Sequence, residues 1–149
     1  MVALMPREPL VLKVPNRTET LRGVLDRAET YCLGEGMPSA IAREVRLAIE
    51  EILANLIAHA WPDGGPHLAE LSLRVSNGEL FCEITDDGIA FDPVTGHLPP
   101  KHSSLDQQPI GGLGLVIVRR FADRLAYSRN LGFNHMRFWK SFAPDRSNS

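Results

Sequence analysis

The chain has 149 residues, of which 44% are hydrophobic and 23% are charged. These values exclude a disordered or fibrous protein and fit one domain, residues 1–149, that is large enough to bury a sizeable core. The formal net charge of -2 arises from 16 basic and 18 acidic residues without long runs of one sign, so neither a nucleic-acid-binding nor a membrane-binding surface is indicated.

The start of the chain predicts a strand followed by a helix. It lacks the basic residues and long apolar run of a secretion signal, so we expect a cytoplasmic protein. Apolar and other residues alternate over residues 10–14, which is typical of a strand, and Pro15 closes it. Asn16 with Glu19 three positions later has the form of a capping box, so the first helix should begin there and end near Gly34.

A second, longer helix is predicted after Ser39, which is placed to cap it. Its apolar residues recur at intervals of three and four: Ile41, Val45, Ile49, Ile52 and Leu56. Residues 49–60 form the densest apolar stretch, but they include too many polar groups for a membrane span. The prolines and glycines of residues 61–65 end the helix.

A hairpin follows, in which residues 71–75 and 80–84 alternate around the turn residues Asn77 and Gly78. Cys82 lies in the second strand, and Cys32 lies in the first helix. Their spacing matches neither a disulfide framework nor a zinc site, so we expect two buried thiols.

The last part of the chain begins with a segment rich in glycine and proline, residues 86–114, which predicts a long loop that serves a ligand. A third helix over residues 115–122 and two strands near residues 125–129 and 135–142 complete the pattern. Residues 144–149 form a polar tail. We therefore expect an α+β fold, a two-layer α/β sandwich with a mixed, mostly antiparallel sheet and helices on one face.

Three groups of residues could carry chemistry, and the first is a polar stripe on the second helix. Residues four apart on a helix advance by about 40°, so Glu51, Asn55 and His59 share one face beside the apolar stripe, whereas Glu50 points away. A carboxylate and an amide at the edge of a core are costly unless they are paired, and a metal-bound polyphosphate would pair with them. A hydrogen-bonded helix rim is the alternative.

The second group ends the hairpin. Asp86 follows Leu80, Cys82 and Ile84 on one face of the strand, so an acid terminates a buried row. Its carboxylate could accept a hydrogen bond from an exocyclic amine such as that of adenine, and Gly88 would allow a flat ring to approach the backbone. A simple Asp-Gly turn is the alternative.

The third group is a glycine-rich run before the third helix, made of Gly111, Gly112, Leu113, Gly114 and Leu115. Its backbone amides and the helix N-terminus could receive phosphate oxygens, although a glycine-rich linker would have the same composition. The run lacks the Lys-Ser/Thr ending of a P-loop, and it does not directly follow a strand as a dinucleotide-binding fingerprint should. Both of these nucleotide folds are therefore disfavoured.

In this order the three groups resemble the conserved boxes of the histidine-kinase-like ATPase superfamily, especially the anti-sigma factor serine/threonine kinases. The sequence of residues 51–55, Glu-Ile-Leu-Ala-Asn, is similar to the first box; residues 86–93 are similar to the second, and residues 111–115 to the third. The resemblance implies that Asn55 holds Mg²⁺, that Glu51 acts as the base and that Asp86 binds the adenine amine. One departure is Ala90, where the family often has glycine.

The resemblance also implies a function: an ATP- and Mg²⁺-dependent kinase that phosphorylates a small STAS-type anti-sigma factor antagonist and sequesters a sigma factor or similar regulator. A non-catalytic, nucleotide-gated binding protein is the alternative. A detached catalytic module of a histidine kinase is disfavoured, because no segment resembles the phosphoacceptor helix pair. The sequence leaves open whether the protein forms a homodimer.

Overall fold

The computed structural model of the chain describes residues 8–90 and 112–144. Its elements, in chain order, are β1 (Leu10–Pro15), α1 (Leu21–Gly34), α2 (Ser39–His59), β2 (Leu68–Ser76), β3 (Glu79–Asp86), α3 (Gly112–Phe121), β4 (Arg124–Asn130) and β5 (Phe133–Ser141). Most of the predicted ligand loop and tail, and Gly111 with them, lie outside the described residues.

The strands form one five-stranded sheet in the order β1-β2-β3-β5-β4, and every described pairing is antiparallel. The predicted hairpin is confirmed: Asn77 and Gly78 have φ values of 53° and 73°. These positive angles match the twist of the flanking strands in a two-residue turn. Leu131 and Gly132 form the β4–β5 turn in the same way, with φ values of 53° and 83°.

One face of the sheet carries the core, as expected for a two-layer α+β sandwich. Alternate residues of β2, β3 and β5 are buried beneath the helices: Leu71, Leu73, Leu80, Cys82, Ile84, Met136 and Phe138. α1 and α2 contribute one apolar stripe each, including Leu25, Ala28, Cys32, Val45, Ile49 and Leu53. Burial of each leucine-sized side chain contributes about 1.5–3 kcal/mol, so this layer accounts for most of the stabilisation.

Both cysteines are free and buried, as predicted. Burial, together with the nearby carboxylates of Glu29 and Glu35, raises the pKa of the Cys32 thiol to about 12. Burial also raises the pKa of Cys82. In the described part of the chain no helix is long and apolar enough to cross a bilayer.

The predicted helix starts are wrong in detail. Asn16 caps no helix: its side chain instead donates to Gly65 O at 2.9 Å and accepts from His67 N at 2.9 Å, tying the end of β1 to the loop after α2. Ser39 is the first residue of α2 rather than its cap, because Pro38 occupies the cap position. The third helix begins at Gly112, three residues before the predicted start.

Candidate functional site

The polar stripe of α2 lies at the edge of the core, as the spacing predicts. Glu51 and Asn55 are half-buried, whereas His59 at the helix end is exposed. The neighbouring Ile52 and Leu53 are buried, so the helix is anchored through the adjoining face. Among the described residues Glu51 has no hydrogen-bond or ion-pair partner.

Asn55 has a buried amide nitrogen without a hydrogen-bond partner in the described part of the chain. A buried donor that lacks an acceptor costs about 1–3 kcal/mol, so the position favours a ligand. A phosphate oxygen would accept from this nitrogen. Rotation of the amide by 180° would instead present its oxygen, which is a suitable ligand for Mg²⁺.

No group of three or more His, Cys, Asp or Glu side chains within residues 8–90 and 112–144 is arranged to hold a metal ion by itself. This result fits Mg²⁺ bound together with a nucleotide, because such an ion needs only one or two protein oxygens besides phosphates and water. Asn55 is a suitable donor for that arrangement, and a dedicated metal cage is not required.

Asp86 ends the inner row of β3 and is 4% exposed. Its Oδ1 accepts two hydrogen bonds, from Gly88 N at 2.8 Å and from Asn134 Nδ2 at 3.0 Å. No hydrogen bond from a described residue reaches Oδ2. Burial raises the pKa of this carboxyl above its usual value of 3.8, and the two hydrogen bonds oppose that rise.

Gly88 lies just after β3 and packs against Ala60, the residue that follows α2. A Cβ added to this residue would lie 2.5 Å from Ala60 Cβ and 2.6 Å from Ala60 O. The close approach is therefore made by Ala60, whereas the approach of a flat ring stays a prediction. Ile89 N donates to Ala60 O at 2.8 Å, and Trp61 Nε1 donates to Asp87 Oδ1 at 2.8 Å. These contacts hold the end of α2 against the segment that follows β3.

Ala60 serves as the reference point for distances along the axis of α2. With a rise of about 1.5 Å per residue, Asn55 lies about 7.5 Å along the helix axis from Ala60, and Glu51 about 13.5 Å. Asn55 and Glu51 thus follow one another along the helix, away from Ala60, the residue that Gly88 and Ile89 contact. Ala90 does not have a positive φ, so the alanine there causes no backbone strain.

The sequence did not predict the role of Asn134, which is 5% exposed. Its Nδ2 donates to Asp86 Oδ1 and to Ile89 O at 2.9 Å. Its Oδ1 accepts from Arg129 Nη1 at 2.8 Å and from the hydroxyl of Tyr127. The period of two could have revealed it: Asn134 precedes Met136 and Phe138 on the same face, so a polar residue ends a buried row here too.

The third predicted group is only partly described. Gly112, Leu113, Gly114 and Leu115 lie in the backbone of α3, and Gly111 falls outside the described residues. The glycines therefore form the first turn of the helix instead of preceding it. The first backbone N–H groups of a helix have no partner within the helix, so they are suited to phosphate oxygens. α3 packs against α2, the helix that carries Asn55.

Comparison with known proteins identifies similar sequences and folds. Residues 14–140 match the family of the histidine kinase-like ATPase domain. A serine/threonine-protein kinase, BtrW of Bordetella bronchiseptica, is 37% identical over 99 residues, which cover 66% of this chain and 70% of that protein. An anti-sigma F factor of Clostridium botulinum is 24% identical over 82 residues, covering 55% of this chain and 57% of that protein.

A similar fold occurs in the crystal structure of the RsbU and RsbW domains of a Mycobacterium tuberculosis protein. The TM-score is 0.67 at 14% sequence identity, and the match covers 95% of this chain and 34% of the other. At this identity the similarity concerns the fold alone.

Proposed function

Because the chain belongs to the histidine kinase-like ATPase family, and within it to the anti-sigma factor kinases, we propose that it transfers the γ-phosphoryl group of Mg²⁺-bound ATP to a serine or threonine of a partner protein. The predictions of family and fold class are confirmed. The kinase names of the relatives support the predicted enzyme class.

The observation that carries this proposal is the hydrogen bonding of the buried Asp86 carboxylate. A buried carboxylate is costly, and no ion pair joins Asp86 to a lysine or arginine in the described part of the chain. Its Oδ1 is held by two donors, while Oδ2 has no described partner. A fixed, desolvated acceptor of this kind suits the exocyclic amine of adenine, which would supply the missing donor.

We propose that the phosphate groups of the nucleotide bind between α2 and α3. Asn55 would contribute the protein ligand to Mg²⁺, and the first amides of α3 would bind phosphate oxygens. The bound ion would neutralise the charge that develops on the phosphate oxygens. This proposal is supported by the unpaired amide nitrogen of Asn55.

Glu51 is proposed as the general base. Its carboxylate would take the proton of the acceptor hydroxyl while the hydroxyl oxygen attacks the γ-phosphorus, and ADP would leave with the electrons of the broken P–O bond. The side chain is half-buried, and among the described residues it has no partner that would need to be displaced.

The proposed acceptor is a small STAS-type anti-sigma factor antagonist, and the proposed second partner is a sigma factor or an analogous regulator. The name of the Clostridium botulinum relative, an anti-sigma F factor, supports this pairing. Phosphorylation of the antagonist would then determine which partner occupies the kinase.

Glu51→Gln and Glu50→Gln form a matched pair for the test, because the two glutamates are adjacent on α2 and point about 100° apart. Each variant is incubated with labelled ATP and the candidate antagonist, and ATP affinity is measured separately. We expect Glu51→Gln to lower transfer by about 10²- to 10⁴-fold with little change in ATP affinity, and Glu50→Gln to behave as wild type. Equal transfer by both variants would refute Glu51 as the base, whereas ATP binding without any transfer by wild type would favour the nucleotide-gated binding protein instead.

A further inference from the structure

Asn134 connects the carboxylate of Asp86 to the backbone that follows it. Besides its bond to Asp86 Oδ1, its Nδ2 lies 2.9 Å from Ile89 O and 3.4 Å from Gly88 O. The Asn134 amide on β5 thus holds both the side chain of Asp86 and the backbone carbonyl groups of Gly88 and Ile89. The contact crosses 48 positions of sequence and depends on the register that places Asp86 opposite Asn134.

The orientation of this amide is fixed by its other neighbours. Its Oδ1 accepts from Tyr127 and Arg129, and the same Arg129 Nη1 donates to Gly88 O at 3.0 Å. A guanidinium group can only donate hydrogen bonds, so the oxygen of Asn134 must face Arg129. The nitrogen must therefore face Asp86, and the carboxylate receives a donor at Oδ1 in a single orientation.

We propose that Asn134 is a positioning residue for base recognition: it holds Oδ1 of Asp86 so that Oδ2 is presented to the exocyclic amine of adenine. This inference rests on the proposed function, because it concerns the same nucleotide site. Asn134 acts through Asp86 and the backbone of residues 88 and 89, and Arg129 and Tyr127 lock it in place.

A fixed acceptor has a consequence for specificity. Adenine carries an amine at the position where guanine carries a carbonyl oxygen, and an acceptor facing that oxygen would be repelled. If Asp86 can rotate, or if its donor at Oδ1 is lost, this discrimination weakens. Asn134 is therefore expected to support the preference for ATP over GTP as well as the affinity for ATP.

The test compares Asn134→Ala and Asn134→Asp with wild type and with Asn130→Ala, a control at an exposed asparagine at the end of β4. ATP and GTP binding are measured by calorimetry at pH 8 and pH 6, and folding is checked by circular dichroism. We expect Asn134→Ala to lose about 10-fold or more in ATP affinity, since a hydrogen bond to a charged group is removed, and to lose less in GTP affinity.

Asn134→Asp supplies a readout that a purely structural role would not change. At pH 8 it would place a second carboxylate beside Asp86, at a position now 3.0 Å from Oδ1, and ATP binding should be weak. At pH 6 the two carboxyl groups can share one proton, which restores a donor to Oδ1 and leaves Oδ2 an acceptor. The charged groups Asp87 and Arg129 remain the same in every variant.

Recovery of ATP affinity by Asn134→Asp at pH 6, beyond any change in wild type, supports the proposal even if Asn134→Ala does not fold. Two results overturn it: wild-type ATP affinity in a folded Asn134→Ala, or an Asn134→Asp whose ATP affinity does not rise relative to wild type on acidification. A wild type that binds neither nucleotide would instead contradict the proposed function, and that result is visible before any variant is made.

Discussion

Gly88→Ala should destabilise the fold, because the junction between β3 and α2 has no room for a methyl group. The added Cβ would lie 2.5 Å from Ala60 Cβ, 2.6 Å from Ala60 O and 2.9 Å from Asp86 Oδ1. Non-bonded carbon atoms in van der Waals contact are about 3.5–4.0 Å apart, so the segment after β3 and the end of α2 must separate. Two of the three neighbours are rigidly attached to backbone, which makes a cheap adjustment unavailable.

The magnitude follows from two contributions. Overpacking of this kind costs about 1–3 kcal/mol. Separation would also break the 2.8 Å hydrogen bond from Ile89 N to Ala60 O, which contributes about 1 kcal/mol. We therefore expect a loss of about 2–4 kcal/mol in the free energy of unfolding, and a melting temperature lowered by about 5–10 °C.

Urea denaturation followed by circular dichroism measures this loss, and Gly65→Ala is the matched control. Gly65 lies in the loop after α2, and its added Cβ would have no neighbour closer than 3.5 Å. That substitution should raise stability by about 0.4–1 kcal/mol, because it restricts the unfolded chain. If Gly88→Ala proves as stable as Gly65→Ala, the packing at this junction is not as described.

Three further results are expected. Asp86→Asn should be more stable than wild type at pH 7, because burial raises the pKa of the Asp86 carboxyl. A carboxyl with a raised pKa stabilises the folded protein in its protonated form at low pH, and this stabilisation is lost as the pH rises through the raised pKa. The difference in urea stability between the two proteins should therefore shrink below pH 3.8. Asn55→Ala should keep or raise the melting temperature without ligand, since it removes a buried unpaired donor, and should lose the stabilisation produced by Mg²⁺ and ATP; a lower melting temperature would show that the amide is paired. The Cys32 thiol, with a pKa of about 12, should react with a thiol reagent only after unfolding, and rapid reaction of the native protein would contradict its burial.

The elements that could be predicted from the sequence are those specified by local patterns. The β2–β3 hairpin follows from alternation around Asn77 and Gly78, and the buried face of α2 follows from helical spacing. The strands predicted near residues 125–129 and 135–142 leave the second turn only as the interval between them, because Leu131 is an unusual residue at a positive φ.

The candidate site was predicted where a residue ends a periodic row and was missed where distant segments meet. Asp86 could be found from the row of β3, whereas its partner Asn134 requires the pairing of β3 with β5. The capping box predicted at Asn16 is wrong because that pattern is local, while the contacts of Asn16 with Gly65 and His67 are about 50 positions away. Local propensity carries no information on such contacts.

The proposed role of Asp86 as the acceptor of a nucleotide site can be measured by calorimetric titration of Mg²⁺ and ATP into Asp86→Asn and Asp87→Asn. Asp87 is adjacent and exposed, and its carboxylate accepts from Trp61, a role that an asparagine oxygen can also fill. We expect Asp87→Asn to bind ATP within a few-fold of wild type. Asp86→Asn, which can place an amide donor against the adenine amine, should lose at least about 100-fold in affinity. Wild-type affinity in a folded Asp86→Asn would show that the Asp86 carboxylate does not bind the nucleotide.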